Sequence, residues 1–306
     1  METNKLHLIF LSLLLLLSMA VKAEYVTVAL TDDIMTSDKQ ETFNTALGID
    51  LSEKSDVNLV FTLAEGADAN KLTDQVLGFM GQYAKSNWTS VTGFDMSALT
   101  STKTLPAHMF DGDDKLKTIK LPTLTSLSDN LFTGCGDLTS LTIGDWSNTE
   151  NNAGLDMAVI PSGCFQNCGN LKNLKFNNVK SVKGWAFEGC TSMTVFPINT
   201  IQTDAKVEIG ENAFNNTKLT GDVNLPEGIT KIYRSSFGGC KEMTTIRFPR
   251  TIESVDPEFD LNDTNLQHII IDGGNTETAI SNDKYLTYKG ILYSINGGKI
   301  NVFRAL

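Results

Sequence analysis

Seven phenylalanines, Phe110, Phe132, Phe165, Phe187, Phe214, Phe237 and Phe259, are separated by 22, 33, 22, 27, 23 and 22 residues. A recurring period near 22 constrains the fold more than composition does, because each period must be one structural unit that meets only its neighbours. Four of these Phe carry a Cys three places on, at Cys135, Cys168, Cys190 and Cys240. Downstream of the Phe come apolar residues at positions 1, 4 and 6: Leu116-Ile119-Leu121, Leu138-Leu141-Ile143, Leu171-Leu174-Phe176, Met193-Phe196-Ile198, Met243-Ile246-Phe248 and Leu266-Ile269-Ile271. Leu219-Val223-Leu225 fits with one extra residue, and Pro follows at Pro122, Pro226 and Pro249. The step ends in alternation, with Ile119 and Leu121 on one face and Lys120 on the other, so it predicts a short strand that Pro then stops. A second apolar step follows at Leu124/Leu127, Val179/Val182, Ile229/Ile232 and Ile252/Val255. One such unit has too few large apolar side chains to offset the entropy of ordering its backbone. The units must therefore stack, sharing faces and pairing strands.

Leu225-Pro226, Ile229-Thr230-Lys231-Ile232, Ser236-Phe237-Gly238-Gly239-Cys240 and Met243-Thr244-Thr245-Ile246 trace one unit almost completely. Glu211-Asn212-Ala213-Phe214 and Trp185-Ala186-Phe187-Glu188-Gly189-Cys190 supply an Ala-Phe corner. This unit resembles the BspA-like, or Treponema-type, leucine-rich repeats of bacterial cell-surface proteins, over about residues 105–271. Three corners depart from the pattern, with Asp113, Thr217 and Asn262 where Cys is expected. The resemblance implies a leucine-rich-repeat solenoid of short parallel strands and turns. It also implies adhesion or recognition of a protein or glycan ligand rather than catalysis. The tail Tyr288-Lys289-Gly290-Ile291-Leu292-Tyr293 with Asn296-Gly297-Gly298-Lys299 resembles the hairpin that ends such arrays, and Asn-Gly between apolar runs is itself a hairpin signal.

Four segments follow. Residues 1–23 read as an export signal: Lys5, then an uncharged apolar run from Leu8 to Val21, then small residues at Val21 and Ala23. The run is shorter than the ~20 residues that span a bilayer, so no membrane span is expected after cleavage. Residues 24–90 lack the ladder and read as a small α+β cap or domain. Its expected strands are Tyr25–Val28 and Val57–Leu63, and its expected helices Lys39–Leu47 and Ala69–Tyr83. The array is placed at 91–275 and a C-terminal hairpin cap at 276–306. The long gap holds Trp146 to Asp156, rich in Asn, Gly, Ser and Thr, which reads as a surface loop.

The net charge is -11, and the signal carries one net positive charge, so the mature chain sits near -12. Such a surface repels phosphate, which sets nucleic acid aside as a partner. Cofactor and metal motifs are not found: His108 and His268 are the histidines after the signal, and neither has ligand spacing to another His or Cys. Asp111-Gly112-Asp113-Asp114 lacks the later Glu of a calcium loop and reads as a solvated acidic turn. The cysteine column reads as small buried residues, although adjacent coils would put Cys168 and Cys190 within disulfide range. Core positions are therefore Phe132, Cys135, Phe165, Cys168, Phe187, Cys190, Phe214, Phe237 and Cys240. On the strands with the clearest outward positions, those positions carry Lys, Thr, Ser, Asn, Gln, Arg and His but no acid. Lys117, Thr118, Lys120, Lys172, Asn173, Lys175, Arg247 and His268 are the candidate ligand contacts. Lys117/Lys120 and Lys172/Lys175 are expected to sit one strand apart on a continuous ribbon. The expected product is an exported, non-enzymatic interaction protein, secreted, periplasmic or on the cell surface. The alternatives are an enzyme with its chemistry in residues 24–90 and a periplasmic structural scaffold.

Overall fold

The computed structural model describes residues 23–87, 89–149, 153–256 and 264–265, and the backbone of five strands beyond them. Residues 1–22 of the expected signal, Phe259 and Asn262 lie outside the described residues.

The chain opens with β1 (Glu24–Leu30), α1 (Asp32–Met35), α2 (Gln40–Leu47) and β2 (Val57–Leu63). A single 3-10 turn at Ala69–Lys71 leads into α3 (Asp74–Ser86). The expected second helix therefore begins five residues later than the sequence suggested. Thr73 sets that start, since its side chain accepts the Val76 N–H as an N-cap. Next come β3 (Val91–Asp95), β4 (Thr118–Leu121) and β5 (Ser140–Ile143), and all neighbours from β1 to β5 pair in parallel. Residues 24–90 thus share a sheet with the first repeats. β3 was not legible as a repeat strand, although Val91, Phe94 and Met96 keep the 1-4-6 spacing. α3 lies on the first corner so closely that a Cβ at Gly81 would fall 2.2 Å from the Met109 carbonyl oxygen.

The start of the insert is not the surface loop that its composition suggests, although Thr149, Ala153 and Asp156 are exposed. β6 (Trp146–Ser147) turns back antiparallel on β5, and Trp146, Ser147 and Asn148 are all buried. The buried Asn148 side chain takes the place of a strand. It accepts the Leu141 N–H and donates to the carbonyls of Thr139 and Lys172, at 2.8 to 3.0 Å. Polar composition did not mean exposure here, because this polar side chain completes backbone hydrogen bonds between two coils.

Later coils carry two short strands each, except the coil of the Met193–Ile198 step, which has only one. β7 (Leu155–Asp156) and β8 (Val159–Ile160) precede β9 (Phe176–Asn177) and β10 (Ser181–Val182). Then follow β11 (Val207–Ile209), β12 (Gly221–Asn224), β13 (Ile229–Ile232), β14 (Met243–Phe248) and β15 (Ser254–Val255). The second apolar step forms its own parallel sheet, in the order β15-β13-β11-β10-β8. The principal strands are interrupted. β7 pairs with β9, and β12 pairs with β14, which pairs with β16 (His268–Ile271). β17 (Thr278–Ala279) returns antiparallel to β16. The backbone then forms an antiparallel sheet of β18 (Lys284–Tyr288), β19 (Ile291–Asn296) and β20 (Lys299–Arg304), with its second turn at the Asn296–Lys299 hairpin signal.

The ladder is the core. Phe110, Phe132, Phe165, Phe187, Phe214 and Phe237 are buried, with consecutive ring centroids 5.2 to 5.7 Å apart and planes within 18°. Rings stacked this way contribute about 0.5–1.5 kcal/mol per pair beyond their burial. Phe94 and Phe61 carry the file on into the N-terminal segment. Each corner has a left-handed residue two places before its Phe and another two places after, as at Asn130 and Gly134 around Phe132. These turns aim three N–H groups along the stack. Asn130, Phe132 and Gly134 donate to the carbonyls of Ser162, Cys164 and Gln166 in the next coil.

The cysteines do more than fill space. The thiols of Cys135, Cys168, Cys190 and Cys240 donate to the carbonyls of Phe110, Phe132, Phe165 and Phe214 in preceding coils, at 3.1–3.2 Å. All five cysteines are free and buried. Burial holds every thiol well above its ordinary pKa, at about 12 for Cys190 and about 11 for Cys240. Thr217 takes the Cys place in its coil and donates to Phe214 instead. Asp113 takes the Cys place at the first corner and is likewise buried, so the acidic turn is not solvated throughout. Asp113 is only 2% exposed, and neither carboxylate oxygen has a hydrogen-bond partner. Burial raises its pKa to about 6, against the weaker pull of the nearby Lys115 and Leu116 backbone and of Lys85.

Candidate ligand face and groove

The expected basic ribbon is broken into separate pieces. Lys117, just before β4, and Lys120, on β4, are exposed, and each meets an acid from upstream in the chain. Lys117 lies 3.8 Å from Asp56, and Lys120 lies 3.8 Å from Asp95, its register partner on β3. Ion pairs this exposed are worth little to stability, but they cancel the local positive field. Thr118 is half-buried between them. The next strand, β5, pairs with β6 rather than with the segment bearing Lys172 and Lys175. The two lysine pairs therefore do not lie across one strand of a continuous sheet, as the spacing alone implied. The reason is the insert, whose Asn148 joins Thr139 to Lys172 through a side chain.

A concave site forms further along the same face. The Met193–Ile198 step makes no strand, only a single bridge from Ile198 to Phe176. Pro197 explains much of this. Pro122, Pro226 and Pro249 follow the last apolar position of their steps, but Pro197 falls inside its own, where it withholds an N–H. No backbone hydrogen bond joins residues 195–197 to β12, although Thr220 N–H reaches the Thr194 carbonyl at 3.1 Å just upstream. The chain splays outward there and leaves a groove of about 390 Å³. Asn173, Lys175, Val195, Phe196, Asn199 and Asn224 line it. Val195 is 70% exposed, which is unusual for an apolar residue in a repeat. Phe196 is half-buried, with its ring 4.9 Å from that of Phe214.

Two expected contacts, Asn173 and Lys175, thus meet in the groove. Arg247 braces a third wall, since its Nε donates to Asn224 Oδ1 at 3.2 Å. Lys172 is exposed just before Asn173. His268 lies in β16, and its side chain lies outside the described residues. Val195, Phe196, Asn199 and Asn224 were missed by sequence reasoning. The displaced proline of Pro197 was the signal that could have found them.

Other features belong to different faces. Trp185 is 39% exposed in a left-handed conformation, at φ 57°, in a column otherwise held by His108, Asn130, Gly163, Asn212 and Ser235. Among the described residues no helix is long and apolar enough to cross a membrane.

Parallel strands one repeat apart, a file of stacked Phe and a thiol column at the corners define a leucine-rich-repeat protein. The chain belongs to the BspA-type leucine-rich-repeat family, whose pattern matches in six copies over residues 78–203 and 158–287. No curated protein matches the chain closely enough to count as a relative. Among solved structures it is similar to a leucine-rich cell surface protein from Faecalibacterium prausnitzii A2-165. The identity is 14% and the TM-score 0.29, over 54% of this chain and 66% of that one, just under two thirds of its length.

Proposed function

We propose that this protein is an exported, non-enzymatic recognition protein that binds a protein or glycan through its principal strand face. Residues 1–23 act as a cleaved signal. The coils of residues 91–275 form a solenoid, with residues 24–90 as an α+β cap and residues 276–306 as a hairpin cap. The supporting observation is the groove beside Val195, where exposed apolar surface, amides and a lysine converge on a scaffold held rigid by the Phe file. Sites of this kind, concave with a few placed polar groups, are the usual places for ligands. The experiment uses the mature chain, residues 24–306, immobilised against extracellular proteins and glycans. Changing Lys172 and Lys175 together to Glu should abolish capture of the bound species while leaving the thermal melt within a few degrees. Lys172 is exposed and Lys175 half-buried at the groove wall, and surface charge changes usually shift stability by about 0.5 kcal/mol or less, so folding is a fair control. Undiminished capture by the double variant refutes the strand face as the site.

A further inference from the structure

We propose that the groove beside Val195 takes an anionic saccharide, a sugar ring carrying a carboxylate or sulfate. This rests on the recognition reading above and deepens it. Size comes first. A site of about 390 Å³ lies at the small end of the range for small-molecule pockets, whereas a stable protein partner covers roughly 800 Å² of one surface.

The lining matches a sugar. A pyranose has an apolar C–H face and a rim of hydroxyls, each both donor and acceptor. Val195 and Phe196 offer the apolar floor. The amides offer the complementary rim, and their existing bonds assign their free ends. Asn199 donates its Nδ2 to Asn177 Oδ1 at 2.7 Å, which leaves its own Oδ1 to accept. Asn224 receives Arg247 on its Oδ1, which leaves its Nδ2 to donate. An acceptor and a donor thus stand on different walls, an arrangement suited to hydroxyls.

Charge selects the anion. The chain is at -11, yet Lys172 and Lys175 have no carboxylate partner among the described residues, unlike Lys117 and Lys120. A half-buried lysine at a groove wall attracts an anion more strongly than a fully solvated one. Acids oppose it on both flanking strands: Asp156, exposed on β7 in register with Asn177, and, on the same side as Asn224, Asp222 on β12. The effect of Asp222 on affinity is therefore a diagnostic.

The probes are N-acetylneuraminic acid, glucose 6-sulfate and glucose, titrated into the mature chain by NMR. Wild type should bind the two acids about tenfold more tightly than glucose, the equivalent of ~1.4 kcal/mol. Lys175→Gln should erase that preference, Asp222→Asn should tighten the acids, and Val195→Asp should weaken all three sugars. Circular dichroism melts check folding, and Val195 is exposed enough for its change to be tolerated. Equal affinity for glucose and its 6-sulfate overturns the proposal, as does a preference that survives Lys175→Gln. No sugar binding at about 10 mM, alongside capture of a protein that Lys172→Glu/Lys175→Glu abolishes, overturns the saccharide and leaves the recognition reading standing. Absence of both sugar binding and capture overturns both.

Discussion

Asp113 makes the array's stability depend on pH. Its folded pKa is about 6, against an ordinary 3.8, because burial penalises the charged carboxylate. The difference of about two pKa units corresponds to ~3 kcal/mol. The folded state binds the proton more tightly than the unfolded state, so between these values folding takes up a proton. The contribution is fully present below pH 3.8, is lost as pH rises through 6, and is gone by pH 8. Asp113→Asn removes the titration but keeps the shape. The assay is urea unfolding of wild type and Asp113→Asn at pH 4 and pH 8, followed by tryptophan fluorescence. The amide has its own cost in a site with no partners, but that cost is the same at both pH values, and all other titrations cancel in the comparison. Stability of the variant relative to wild type should therefore rise by about 2.4 kcal/mol from pH 4 to pH 8, less than the full difference because the unfolded carboxyl is already partly ionised at pH 4. A change below about 1 kcal/mol would mean that Asp113 titrates normally and is solvated in the folded state, and the burial argument would fail.

Three further outcomes are expected. Asn148→Ala should destabilise the protein by about 1–3 kcal/mol, because it leaves Leu141 N–H and the carbonyls of Thr139 and Lys172 without their partner; a calorimetric melt unchanged from wild type would count against the splint. Trp185→Asn should raise stability or leave it unchanged, since a bulky side chain in the left-handed region costs roughly 1–2 kcal/mol and Asn tolerates it; clear destabilisation would show that the indole packs more than its exposure suggests. Iodoacetamide should leave all five thiols unmodified in the native protein and alkylate all five in denaturant, because burial suppresses the thiolate; native labelling of Cys168 or Cys190, or a bond between them, would refute a purely reduced column.

The corners were the most legible part of the chain. Phe187 and Cys190 announce themselves by spacing, because identical neighbours must occupy identical sites in a stack. The left-handed residues at Gly134, Asn167, Gly189, Asn216 and Gly239 were equally visible as Gly or Asn two places after each Phe, but hydrophobic periodicity does not register them. What spacing could not reveal was pairing between units. Nothing in the sequence around Lys120 shows that Asp95 lies beside it, since that contact depends on β3 joining the repeat sheet. Nor does the polarity of Asn148 distinguish a solvated loop from a side chain that completes two backbones. The groove is a case of the same kind. Pro197 marks a break in the strand, but whether the break closes or opens depends on how β12 and the preceding coil settle around it.

The insert after β5 divides the two sides of the stack unequally. On the corner side nothing is lost: Phe132 and Phe165 remain 5.3 Å apart, and Asn130, Phe132 and Gly134 all donate across the junction. On the strand side the sheet stops, and the Asn148 side chain bridges the two coils there. At this junction the molecule is bound like a book, with its load carried in the spine and its pages loose at the fore-edge. Extra residues can enter at the fore-edge without disturbing the spine, and the groove beside Val195 opens at that same edge. The face that carries the groove is thereby the face that can be rewritten at least cost to the fold.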